Sequence, residues 1–423
     1  MKCRLSYTIL TLLTALTCSC KKPYNPTTVT TNYNYLVVEG LININDSTFI
    51  NLSRTVTIGS AATTKPELKA VISIESNTGN SYPLKEKGNG MYAAPNYNLN
   101  PANQYRVRIR TADVNTYVSD FNDTKVTPPI DSLIRQYKSD GMYVSLNTHD
   151  PNNNTRYYRW DFEETWQFTS FFKSKLTAQG ADTAKAALSP LFTGSGIAVL
   201  PRKDDIYHCW GDNYSHLITL NSSAALSKDV IQNQSITFVP SSSEKLSIRY
   251  RINVKQYALT KDAYDFWTLL KKNTEQLGSI FDAQPTASIG NIHNVNKPNE
   301  AVIGYISTCS VSQKLFYVNN FDVPKSYVAD YTNNNPYNAN TCQLTQPTNP
   351  VKCQIGFAVF EPCDGDYEQY SYFIKSYPHS LLLPIDVLVP FNPLTLTGSV
   401  TGSNSICVDC TERGNNVKPA FWQ

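Results

Sequence analysis

The sequence predicts a mainly β protein: a β-sandwich over residues 34–128, followed by a larger, antiparallel β-rich unit over residues 129–423 with one or two docked helices. Three observations carry that reading. Short β-branched and aromatic runs recur between turn residues, as in sandwiches. Aromatic residues, which favour strands, make up 12% of the 423 residues. Only one stretch has a convincing helical period.

In the first unit, Tyr35–Gly40, Phe49–Arg54 and Ala70–Ile74 have strand length and content. Asn77-Thr78-Gly79-Asn80 and Gly88-Asn89-Gly90 supply turns between them. The clearest strand is Tyr105–Arg110, where Tyr105, Val107 and Ile109 share one face and three arginines the other. Thr127-Pro128-Pro129 closes the unit, its adjacent prolines stiffening a hinge.

The second unit opens at Ile130 and reaches its most informative strand at Tyr157–Phe168. Tyr158, Trp160, Phe162, Glu164, Trp166 and Phe168 fall on one face at period two, so a carboxylate interrupts an apolar row. A bulge could turn Glu164 outward. Pointing inward it needs a cation, because a buried carboxylate is costly unless paired, and Arg249 and Arg251 are the candidates. Thr260 reads as the N-cap of a helix whose Ala263, Phe266, Trp267 and Leu270 form an apolar stripe. Ser170–Leu188 is a weaker helical candidate, broken by Gly180. Leu381–Pro393 holds three prolines and reads as an edge strand or extended loop. The tail, Pro419–Trp422, is apolar enough to fold back onto the unit.

The chain begins with Met1-Lys2-Cys3-Arg4, an apolar run from Leu5 to Leu16, and then Thr17-Cys18-Ser19-Cys20. The run is too short to cross a membrane and reads as a secretory signal. Its ending at cysteine points to a lipoprotein signal over residues 1–19, with lipidation at Cys20 and residues 20–33 as a polar tether. Cys18 is the runner-up, since Thr17 is a poorer residue before a cut. Without Lys2 and Arg4 the net charge falls from +3 to +1, so membrane attachment rests on lipid rather than charge. So small a net charge, with no basic tract, argues against nucleic acid as a partner.

Seven cysteines remain after Cys20, all from Cys209 onward. An oxidising compartment then suggests up to three disulfides and an odd thiol, with pairings the sequence cannot assign. Cys342 and Cys353 flank a loop they could close, and Cys407 and Cys410 have the two-residue spacing shared by zinc knuckles and redox motifs. These four are candidates for disulfides or a metal, and a staple is favoured because no second such pair exists. No cofactor fingerprint appears. Asp364-Gly365-Asp366-Tyr367-Glu368 offers three carboxylates but lacks the frame of a calcium loop, and reads as a solvated turn.

Several segments together resemble the Bacteroidota lipoprotein family of domain of unknown function 4249. They are Tyr35–Gly40, Thr127–Ser132, Tyr157–Trp160 with Glu164–Trp166, Lys255–Leu259 with Ala263, Tyr264, Phe266 and Trp267, Gly290–Ile292, Val302–Tyr305, and Cys407–Cys410 with Phe421-Trp422. The resemblance implies an outer-membrane lipoprotein whose first domain is immunoglobulin-like. It also implies a partnership with a TonB-dependent outer-membrane receptor, and it brings no catalytic residues. Lys21-Lys22 stand where surface export in this phylum favours acidic residues, leaving the cell surface and the periplasmic leaflet both open. The functional expectation is a non-catalytic accessory or ligand-binding partner of such a receptor. The alternatives are a purely structural envelope protein, or an envelope glycan or peptide hydrolase using Asp364, Asp366 or Glu164.

Overall fold

A computed structural model describes residues 34–56, 65–180, 197–275, 290–327, 342, 382–392 and 397–422. Its first nine strands are β1 (Leu36–Asn43), β2 (Thr48–Arg54), β3 (Lys65–Pro66), β4 (Val71–Ser76), β5 (Ser81–Gly88), β6 (Met91–Ala94), β7 (Gln104–Arg110), β8 (Thr116–Ser119) and β9 (Asn122–Asp123). There follow β10 (Ile130–Lys138), β11 (Gly141–Asp150), β12 (Tyr157–Thr169), β13 (Leu176–Gly180), β14 (Ile197–Pro201), β15 (His208–Tyr214), β16 (Thr219–Ser222), β17 (Asp229–Pro240) and β18 (Arg249–Leu259). Helix α1 (Lys261–Glu275) leads to β19 (Ile292–Asn294), β20 (Ser307–Cys309), β21 (Val311–Asn319), β22 (Leu382–Asn392) and β23 (Thr397–Asn404). The fold is mainly β and sandwich-like, in agreement with the class the sequence predicts.

Strand alternation builds the first core. On β2, Ile50 and Leu52 face inward, and on β7 Tyr105, Val107 and Ile109 do the same, meeting in one cluster as the long sheet curls over itself. The opposite face of β7 is stabilised across strands, where Arg106 and Arg108 both pair with Glu75 of β4, at 2.7 and 2.5 Å. Segments far along the chain complete this unit. β19 pairs antiparallel with β8 and β20 pairs parallel with β1, bringing Ile292, Val302 and Ile306 into the same core. Asn291 fixes the return, donating to the Ile306 carbonyl at 2.9 Å and accepting from the Ile306 amide at 2.9 Å. A boundary at residue 128 therefore does not separate two independently hydrogen-bonded sheets, because residues 291–309 belong with the first.

In the second unit, the three-stranded sheet β10-β11-β17 covers the sheet β15-β12-β18-β21. Met142, Val144 and Leu146 from the one meet Trp160, Tyr250, Ile252 and Val254 from the other. Helix α1 is capped by Thr260, whose hydroxyl accepts from the Ala263 amide at 3.2 Å. It docks through Ala263 and Phe266, and Arg159 of β12 lies between the rings of Tyr257 (4.6 Å) and Trp267 (4.2 Å). The helix expected over Ser170–Leu188 is corrected: its Leu176–Gly180 portion is β13, paired with β14. Inter-strand hydrogen bonding there overrides local helical preference. In the proline-rich segment, β22 pairs with β23 through shifts of register between Pro384 and Asp386 and further along, as prolines that cannot donate require. At the tail, Trp422 packs edge-on against Tyr317.

The two units are joined by a buried knot rather than a free hinge. The Thr127 amide donates to the Ser310 hydroxyl at 2.8 Å, while the Thr127 hydroxyl donates to the Ser310 carbonyl and accepts from the Ala258 amide at 3.0 Å. Beneath it the fully buried Gln256 accepts from the Trp160 indole at 2.8 Å and donates to the Pro128 carbonyl and the Thr148 hydroxyl, both at 2.9 Å. Gln256→Leu is expected to cost about 2 to 4 kcal/mol, because a buried indole N–H and a buried carbonyl lose their partners. Urea unfolding measures this, and a loss below about 0.5 kcal/mol would show that the amide carries no such weight.

Candidate functional site

Glu164 points into the core of the second unit, so no bulge turns it outward; it is 1% exposed. Asn213, directly opposite on β15, donates to its carboxylate at 2.9 Å. Tyr250, diagonally across on β18, donates its hydroxyl at 2.5 Å. The cation is Lys245, from the one-turn helix Glu244–Leu246, which caps the end of the row and pairs with the same carboxylate oxygen as Asn213. Arg249 and Arg251 are thus corrected as partners. They alternate with Tyr250 along β18 and so face the other side of the sheet, Arg249 over the Tyr317 ring at 4.4 Å and Arg251 over Phe421 at 4.3 Å. Gly211 makes room for the row: a side chain there would strike the Trp166 indole, which Lys245 also overlies at 5.0 Å.

The environment fixes the protonation of the neighbours. Burial, and then the negative charge of Glu164, hold the Tyr250 phenol well above its ordinary range, so it remains a donor to the carboxylate. Burial likewise raises the Glu244 carboxyl, against the opposing pull of Arg413, which pairs with it and lies over the Phe168 ring at 4.7 Å. The result is a buried carboxylate held by three donors. Sequence reasoning missed Lys245, Tyr250 and Asn213. A strand register would have exposed the last two, but no periodicity signals a lysine on a short turn.

The cysteines form two long-range staples. Cys209 of β15 bonds Cys410, and Cys342 bonds Cys407. Cys407 and Cys410 are therefore not joined to each other, and with their thiols consumed they form neither a zinc knuckle nor a redox pair. The loop closure of Cys342 by Cys353 is corrected in the same way, since Cys342 is already bonded. Cys353 itself, like Cys20, Asp364 and Asp366, lies outside the described residues. Cys309 is a buried free thiol beneath α1, and burial pushes it up to about 12. His208 pairs with Asp205 at 2.8 Å, and its neighbour Cys209 is bonded to Cys410, so these adjacent residues form no Cys/His dyad. Among the described residues, no group of three or more His, Cys, Asp or Glu side chains could hold a metal ion, and no helix is long and apolar enough to cross a membrane.

Two curled β units, the second enclosing a buried carboxylate and stapled to the chain's last segment by disulfides, define the class as a mainly β, sandwich-like protein. A family profile described as Domain of unknown function (DUF4249) matches residues 21–315, and the chain belongs to that family. No curated protein matches it. Among solved structures, it is similar to a chain described under "Complete structure of manganese lipoxygenase of Gaeumannomyces graminis and partial structure of zonadhesin of Komagataella pastoris". That likeness has 8% identity and a TM-score of 0.16, over 55% of this chain and 91% of the other, and it carries no argument.

Two measurements check this geometry. Peptide mapping without reduction should yield Cys209 linked to Cys410 and Cys342 linked to Cys407; a peptide joining Cys407 to Cys410 would contradict the structure. Glu164→Gln should cost about 1 to 2 kcal/mol, since the freed Lys245, a quarter exposed, turns to water. Lys245→Met should cost more, about 3 kcal/mol, because the carboxylate stays sealed without its cation. Equal losses for the two variants would show that burial of the charge is not what Lys245 offsets.

Proposed function

We propose that the protein is a non-catalytic component of the cell envelope, held to the outer membrane through lipid on Cys20 and acting as an accessory or ligand-binding partner of a TonB-dependent receptor. One observation supports the non-catalytic part most. Glu164, the carboxylate at the centre of the most aromatic strand, is 1% exposed and takes its donors from Lys245, Tyr250 and Asn213. A general acid or nucleophile must come within hydrogen-bond reach of a reacting atom, and Glu164 stands where no substrate can approach. Its chemistry is that of a structural charge.

The interaction part rests on the lipoprotein signal read from residues 1–19 and on the implied association with receptors. Large apolar side chains on the first unit, such as Phe49 on β2 and Met91 on the paired β6, stand more than 40% exposed and offer contact area for a partner. Gentle detergent extraction of the lipidated protein, followed by pull-down, tests the reading. Co-recovery of an outer-membrane barrel is the expected outcome. Recovery of the protein alone, or a mature N-terminus without acyl chains on Cys20, would overturn it.

A further inference from the structure

At the end of the first unit, where the chain enters the fold beside Asn34, an open cleft of about 270 Å³ has charged walls. Its floor is Arg54, a side chain 6% exposed at the end of β2. Glu67 accepts from the Arg54 Nε at 2.6 Å, and the Asn34 carbonyl accepts from Nη1 at 3.2 Å. Nη2 has no such partner among the described residues: the nearest carboxylate, Asp113, stands 4.0 Å away, too far for a hydrogen bond. Two donors of a buried guanidinium therefore face the cleft. Lys297 lines the same cleft, and among the described residues its ammonium makes no ion pair.

The carboxylates show the converse. Glu300 accepts from the Tyr117 hydroxyl at 2.8 Å and from the Asn294 amide at 2.8 Å, both neutral donors. Burial, reinforced by the bond to Glu300, pushes the Tyr117 phenol up to about 12, so it stays a donor. Asp113 is bonded by Thr111 and by the Asn115 side chain at 2.8 Å, and the Thr111 bond above all holds its carboxyl below the ordinary carboxylate range. Among the described residues, one cleft thus holds the Arg54 Nη2 and the Lys297 ammonium without an anion in hydrogen-bond contact, although Glu67 engages the Arg54 Nε, and it holds Asp113 and Glu300 without a cation in such contact. A neutral polyol would leave both sets uncompensated, and a simple anion would leave Asp113 and Glu300 facing it.

We propose that this cleft binds a small zwitterion, an amino acid or short peptide with a free carboxylate for Arg54 and Lys297 and a free ammonium for Asp113 and Glu300. Charge-assisted hydrogen bonds at both ends give the recognition, and the volume suits a ligand of one or two residues. The assignment deepens the binding role proposed above by naming a ligand class. Its test uses no receptor, so either proposal can fail while the other stands.

The full chain is titrated calorimetrically with L-alanyl-L-alanine and a panel of free amino acids, with the N-acetylated dipeptide and the dipeptide amide as blocked controls. Saturable binding of at least one free zwitterion is expected, with each blocked form about tenfold weaker or worse. Lys297→Gln and Asp113→Asn change exposed side chains, so thermal unfolding should not move. Lys297→Gln should weaken the free dipeptide about tenfold but leave the amide, which lacks the carboxylate, unchanged. Asp113→Asn should weaken the free dipeptide and leave the acetylated one unchanged. No saturable heat with any free zwitterion, equal binding of free and blocked dipeptides, or wild-type affinity in both variants would overturn the proposal.

Discussion

Much of the architecture depends on the side-chain amide of Gln256. It lies fully buried where the first unit hands over to the second, and its three polar partners come from β12, from the Thr127-Pro128-Pro129 linker and from β11. A polar group so placed is costly unless every bond is made, and here both ends are engaged. Thr127 adds bonds from the linker to β18 and to Ser310 between β20 and β21. The two prolines stiffen a segment that is already immobilised by its neighbours. Shape at the junction is thus set by hydrogen bonding between buried groups, while α1 packs on the opposite face of β18, against Tyr257 and Leu259.

Glu164 applies the same principle to a charge. Its row would be more stable without a carboxylate if packing were all that mattered, since a buried ion pair rarely gains more than it loses in desolvation. Asn213, Tyr250 and Lys245 make the charge tolerable by supplying three directed donors, and they fix the relative positions of β12, β15, β18 and the turn that carries Lys245. Burial of one face already sets the register, and a charge with three named partners adds a directional constraint to it. The two disulfides extend this ordering to the chain's last segment, tying it to β15 and to Cys342.

Local periodicity made much of this legible. Tyr105–Arg110 and Tyr157–Phe168 announced strands by alternation, and Thr260 with the stripe from Ala263 announced α1, because each signal is contained within one element. What stayed hidden depends on contacts between distant residues. Lys245 lies on a turn 81 residues from Glu164, so arginines on the neighbouring strand looked like better partners. The bond between Cys209 and Cys410 spans 201 residues, and the short spacing of Cys407 and Cys410 suggested a local unit instead. Arg54 read as one more strand residue, although the cleft it floors is assembled from β2, β8 and the segment after β19.

The return of residues 291–309 to the first unit has a consequence for how the chain is assembled in time. As the polypeptide emerges from a ribosome or a translocation pore, β1 and β8 appear early, yet the strands that cover their free edges lie about 170 to 270 residues further on. Until those residues arrive, two edges of the first sheet stand open to pairing with other chains. Closure carries the high loop entropy and slow kinetics of long-range β pairing. The N-terminal half, first to be made, is among the last parts to be finished, so the newly made chain is exposed to aggregation for most of its synthesis.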